Sequence, residues 1–144
     1  MNIVERFISY TKINTTTDRE KGAAGIMPSS EGQRVLAKQL VQELEALGVE
    51  DIKLRDTAIV TATLPSNLDY DVPTVAFFGH LDTSAEQTND TKAQILPYTG
   101  EDLCMNKELN IYLRKSEFPE LVNYISDDII VTDGTSLLGA DDKA

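Results

Sequence analysis

Residues 74–78, Thr-Val-Ala-Phe-Phe, carry no charge and are closed off by Pro73 and Gly79. A run that is apolar on both sides of the pleat predicts a strand covered on both faces, set centrally in a layered sheet. The flanking sequence offers the other layers. Ile3, Val4, Phe7 and Ile8 recur at helical spacing within residues 2–12, and Leu36, Leu40, Leu44 and Leu47 form a second stripe with Val35 and Val41 beside it. That second helix is expected to begin with Ser30 and Gln33 as a capping box and to end at Gly48. Ile52 and Leu54 alternate with charged residues, and residues 58–64 are rich in β-branched types, which predicts two neighbouring strands. Residues 11–28 and 84–102 read as loops, Pro119 starts a short helix within 118–125, and residues 128–134 read as a strand entering a turn. The fold class expected is α/β, a mixed sheet with flanking helices, built around one core.

The chemistry follows directly on the apolar strand. His80 is the only histidine of the 144 residues, and it stands with Asp82 two positions on, so both side chains project to one side of an extended segment. If Asp82 accepts one ring N–H, the other ring nitrogen is fixed as a lone pair for a metal. The alternative is a core histidine satisfied by a carboxylate. Ser84 does not make this a hydrolytic triad, because nucleophile and orienting acid must approach opposite ring nitrogens and no Gly-x-Ser-x-Gly elbow is present. Asp141 and Asp142 form a second candidate, preceded by the small residues Gly139 and Ala140. Adjacent carboxylates repel unless a cation neutralises them, so the pair is either a metal ligand or a solvated acidic turn.

Bulk properties narrow the partners. Lys plus Arg number 13 against 24 Asp plus Glu, a net charge of −11 that repels phosphate backbones and argues against nucleic acid. Carboxylates in that excess serve solubility or the binding of hard cations. Cys104 is the single cysteine, expected as a small buried apolar residue, and it excludes both an intrachain disulfide and a thiolate zinc cluster. No apolar run reaches the roughly 20 residues that span a bilayer. The first residues lack a basic and then apolar leader, so a cytoplasmic location is expected.

Gly79-His80-Leu81-Asp82-Thr83, then Thr132-Asp133-Gly134, then Leu137-Leu138-Gly139-Ala140-Asp141-Asp142-Lys143-Ala144 together resemble the peptidase T family of tripeptide aminopeptidases, within the dinuclear-zinc exopeptidases that include aminoacylase. The resemblance extends through residues 28–33 and 118–121 and so covers essentially the whole chain. It implies that residues 1–144 are the N-terminal portion of a catalytic domain, with the inserted dimerisation or lid domain absent. It also implies two Zn2+ per active site, with His80 as a ligand to one, Asp82 as the catalytic carboxylate that orients it, and Asp141 as the bridge between both. A cis bond between Asp141 and Asp142 is implied as well. The general-base glutamate and the remaining ligands of the family lie beyond Asp141 and are absent from this chain, so the isolated chain is expected to be inactive. Tripeptides are the expected substrates. Two other readings stand beside this one. The first is a non-catalytic chain that self-associates into a homo-oligomer through an unpaired sheet edge, and the second is a related acylamino-acid or dipeptide hydrolase.

Overall fold

Asn2 is in extended backbone, and its side chain accepts from the Glu5 amide while the Glu5 carboxylate accepts from the Asn2 amide, each at 2.9 Å. This reciprocal cap satisfies two of the amides that a helix start leaves bare. It opens helix α1, Ile3–Thr11, at the position the sequence predicts. A computed structural model describes residues 2–86 and 91–137, and the chain divides into two compact units. One contains residues 2–12 and 91–137, the other residues 13–86. The fold is α/β, with small sheets and helices.

In the first unit, β3 (Gln94–Pro97) pairs antiparallel with β6 (Asp128–Val131), and β4 (Leu103–Asn106) pairs antiparallel with β5 (Ile111–Leu113). The Gln94 side-chain amide donates to the Met105 carbonyl at 2.8 Å and to the Thr132 carbonyl at 2.9 Å, so one residue ties the two ribbons together. Tyr98, Leu103, Leu121 and Val131 are buried as a cluster, with Leu96, Met105, Leu113 and Ile129 packed around it. Leu121 reaches this cluster from the 3₁₀ turn Pro119–Tyr124, whose first position suits proline because the missing amide would have no partner there. Two-stranded ribbons are marginal alone, and the shared apolar cluster is what holds these two.

In the second unit, Asp18 caps the short helix α2, Arg19–Ala23, by accepting from the Lys21 amide. The Lys21 amide and ammonium hold the Asp18 carboxyl below its usual range. Helix α3, Glu31–Ala46, packs on the antiparallel ribbon of β1 (Glu50–Leu54) and β2 (Val60–Thr63). Leu36 and Ala37 are buried beneath it, and Gly48 ends it with φ 73°, the left-handed conformation expected after a helix C-terminus. Leu40 and Leu44 are only partly covered and Leu47 is exposed, so the predicted leucine stripe is buried at its N-terminal end only.

Several expectations change here. Ser30 sits at the N-cap of α3 but makes no side-chain cap. Gln33 is instead drawn inward, where its amide nitrogen donates to the Thr15 carbonyl and the Ser29 hydroxyl while its amide oxygen accepts from the Ser29 N–H. An amide that can satisfy three partners at once gains more from this than from a one-bond cap. The two stretches read as loops contain α2 and β3, and the ribbon of β4 and β5 had no sequence signal. Cys104, expected to be buried, is exposed. The largest departure is residues 74–78, which form no strand; Phe77 is 95% exposed, Phe78 91% and Val75 73%. A doubly covered strand needs ladder partners on its edges, and no described element pairs with this segment, so apolar content alone leaves it extended and bare.

Candidate functional site

The backbone of residues 15–17 runs parallel to residue 83 in an isolated bridge between Thr16 and Thr83. Thr17 N–H donates to the Thr83 carbonyl at 3.0 Å and Thr83 N–H to the Thr15 carbonyl at 3.2 Å. Thr15 and Thr83 are buried, and the Gln33 amide that also binds the Thr15 carbonyl anchors the bridge to the start of α3. This frame fixes what lies next to it. Thr17 Oγ1 donates to Asp82 Oδ2 at 2.6 Å, the short distance of a hydroxyl bound to a charged oxygen. Arg19 and Glu86 form a further, exposed ion pair.

Asp82 in turn faces the histidine. His80 Nδ1 lies 3.0 Å from the Asp82 backbone carbonyl and 3.3 Å from Asp82 Oδ1. Both of those atoms are acceptors, so Nδ1 carries the proton, and in the neutral ring the lone pair falls on Nε2. The two side chains are each half exposed, which keeps the lone pair accessible. His80 and Asp82 do meet, as the sequence leads one to expect, and the Asp82 backbone adds a second acceptor that spacing alone did not reveal.

A cleft of about 670 Å³ opens beside the pair. His80, Asp82 and Thr17 line one side, while Ile26, Leu40 and Ile59 are among the residues that make the rest apolar. Its volume falls within the range of small-molecule sites. Among the described residues, no group of three or more His, Cys, Asp or Glu side chains stands close enough to hold a metal ion. Asp141 and Asp142, with the expected cis bond between them, lie outside the described residues.

Thr132-Asp133-Gly134 forms a self-contained turn in the first unit. Buried Thr132 donates from its hydroxyl to the Ser136 carbonyl and accepts the Gly134 N–H. Asp133 accepts from the Thr135 hydroxyl at 2.5 Å and the Thr135 N–H at 3.0 Å, and Lys92 stands 3.2 Å away. The Thr135 donors first, and Lys92 second, hold the Asp133 carboxyl below its ordinary value of 3.8. A depressed carboxylate contributes stability that is full above the unfolded value and is lost as pH falls through the folded one. The turn is therefore expected to loosen only below about pH 4. An NMR titration of the Thr135 amide checks this, and a midpoint above pH 4 would contradict it.

Thr17 is the site residue that sequence reasoning missed. Its partner lies 65 residues away, and the only local hint was a threonine run at 15–17 with no period to interpret.

No family model matches the chain. Proteins named peptidase T do match it: those of Caldanaerobacter subterraneus subsp. tengcongensis and Brevibacillus brevis are each 46% identical over 144 residues, and that of Parabacteroides distasonis is 45% identical over 144 residues. Each alignment covers 99% of this chain. The chain corresponds to part of a peptidase T. It spans about a third of the length of these curated relatives, 34%, 34% and 35% respectively. The peptidase T resemblance drawn from the motifs is thereby extended to nearly every position, including the segments between them. No helix among the described residues is long and apolar enough to cross a membrane.

Proposed function

We propose that this chain contributes part of the active site of a zinc-dependent aminopeptidase that removes the N-terminal residue from tripeptides, acting in the cytoplasm. The observation that carries the reading is the His80 ring held at Nδ1 by Asp82, with Nε2 left as a lone-pair donor, in a chain matching peptidase T along its length. A neutral imidazole of this kind suits zinc, and a carboxylate behind it raises its basicity. His80 would bind one zinc through Nε2 and Asp141 would bridge two. When bound, the metal pair supplies an acidified water and polarises the scissile carbonyl. Asp82 keeps the imidazole in its ligating tautomer, and Thr17 keeps Asp82 in place. The general base and the remaining ligands would come from the further length that the relatives carry.

The test compares this chain with a polypeptide that also carries the remaining length of its relatives. With zinc added, the longer polypeptide is expected to release the N-terminal residue of a tripeptide, and the 144-residue chain is expected to give no turnover above background. Turnover by the short chain at a rate near that of the longer one would remove the assigned roles. Preference for an acylated amino acid or a dipeptide over a tripeptide would favour the related hydrolase instead.

A further inference from the structure

Residues 15–18 are gripped by two neighbours. Thr83 donates its N–H to the Thr15 carbonyl and accepts the Thr17 N–H on its own carbonyl. The start of α3 takes the same Thr15 carbonyl and the Asp18 N–H, using two side chains. Gln33 Nε2 donates to the Thr15 carbonyl at 3.2 Å and to Ser29 Oγ at 3.1 Å, and Ser29 Oγ also accepts the Asp18 N–H at 3.2 Å. The Ser29 N–H locks the pair by donating to Gln33 Oε1 at 3.1 Å. Gln33 is buried, and both of its amide protons are spent here. The Thr15 and Asp18 contacts bracket Thr17, whose hydroxyl holds Asp82 Oδ2 at 2.6 Å. A slip of the segment by about 1 Å would stretch that contact past the length at which a hydrogen bond survives.

We propose that Gln33 and Ser29 are positioning residues for the His80–Asp82 pair: they fix Thr17 against Asp82, and through Asp82 they select the Nδ1-protonated ring of His80. The path runs through named atoms. Gln33 and Ser29 set the Thr15–Asp18 backbone, that backbone sets the Thr17 hydroxyl, and the hydroxyl holds Oδ2 so that Oδ1 stays 3.3 Å from His80 Nδ1. A tautomer is chosen by the hydrogen bond that the other ring nitrogen makes, so loosening Asp82 releases the proton to either nitrogen. The proposal rests on the zinc reading only for its second readout, in which these two side chains tune the affinity of a ligand that neither of them supplies.

The test begins without metal, in the full 144-residue chain. His80 is the only histidine, so the ring-nitrogen NMR signals of the neutral imidazole report a single tautomer ratio. The parent is expected to be mainly Nδ1-protonated. Gln33→Met keeps the reach of the side chain without its hydrogen bonds, and is expected to lower the ratio of Nδ1- to Nε2-protonated ring by about threefold. Ser29→Ala leaves the bond from Gln33 to Thr15 and is expected to give a smaller shift in the same direction. In a Thr17→Val background neither substitution is expected to shift the ratio further, because the hydroxyl that they position is gone. A role confined to fold stability predicts a lower urea midpoint, an unchanged ratio in the folded chain, and additivity with Thr17→Val. An unchanged ratio in the folded variants overturns the proposal, and so does a full-sized shift in the Thr17→Val background. If Gln33→Met does not fold, Ser29→Ala decides by the same criteria. In the longer polypeptide, Gln33→Met is expected to weaken zinc binding about three- to tenfold, less than Asp82→Asn does. A parent that binds no zinc would remove the zinc reading and leave the tautomer result to stand, whereas equal zinc affinity in parent and folded Gln33→Met would overturn the positioning role alone.

Discussion

Zinc binding by the longer polypeptide is expected to be lost in His80→Ala and to weaken roughly 10- to 100-fold in Asp82→Asn, the usual scale for removing a carboxylate behind a ligating imidazole. The two substitutions separate two roles. His80→Ala deletes the nitrogen donor. Asp82→Asn leaves the donor and the backbone acceptor 3.0 Å from Nδ1, and removes only the negative charge and its polarising effect. Thr17→Val takes away the hydroxyl that holds Asp82 Oδ2, and its smaller effect is expected to vanish when Asp82 is already asparagine, as coupled neighbours require. Competition against a chelating dye gives the affinities. Equal losses in His80→Ala and Asp82→Asn would mean that the carboxylate is itself a ligand rather than an orienting group.

Gly32→Ala is expected to destabilise the second unit by about 3 kcal/mol, at the upper end for overpacking. A Cβ at this position would overlap the Asn14 carbonyl oxygen and carbon, which are backbone atoms unable to swing aside. Helix propensity alone predicts the opposite, since alanine is favoured over glycine by about 1 kcal/mol inside a helix. The sign of the change therefore distinguishes contact from propensity. Urea denaturation should show a lower midpoint at unchanged slope, and a midpoint equal to or above that of the parent chain would refute the contact. The loss matters for the site because residue 14 adjoins Thr15, whose carbonyl receives both Gln33 and Thr83.

What was legible in the sequence was local. The helix of residues 3–11, the turn at Gly48, the neighbouring strands β1 and β2, and the meeting of His80 with Asp82 each depend on residues a few positions apart. The features that were not legible depend on distant partners. Gln33 resembles a capping residue until Thr15 is seen beside it, and Thr17 has no chemical meaning until residue 82 returns to it. Strand β3 was hidden because Gln94 and Pro97 make its four residues look like part of a polar connection. Residues 74–78 failed in the other direction. Their composition announces a strand, but a strand is a relationship between two segments, and composition describes only one.

The bridge between Thr16 and Thr83 also bears on the order in which the molecule assembles. It joins positions separated by most of the second unit, so its closure carries the entropy of a long loop and repays nothing until both ends arrive. Helix α3 and the hairpin of β1 and β2 lie wholly inside that loop and can form without it. The Thr17–Asp82–His80 alignment is thus a late event in folding, completed after the elements it encloses. A metal ion held there would act as a latch on the finished structure, slowing its opening while leaving the rate of its formation nearly untouched.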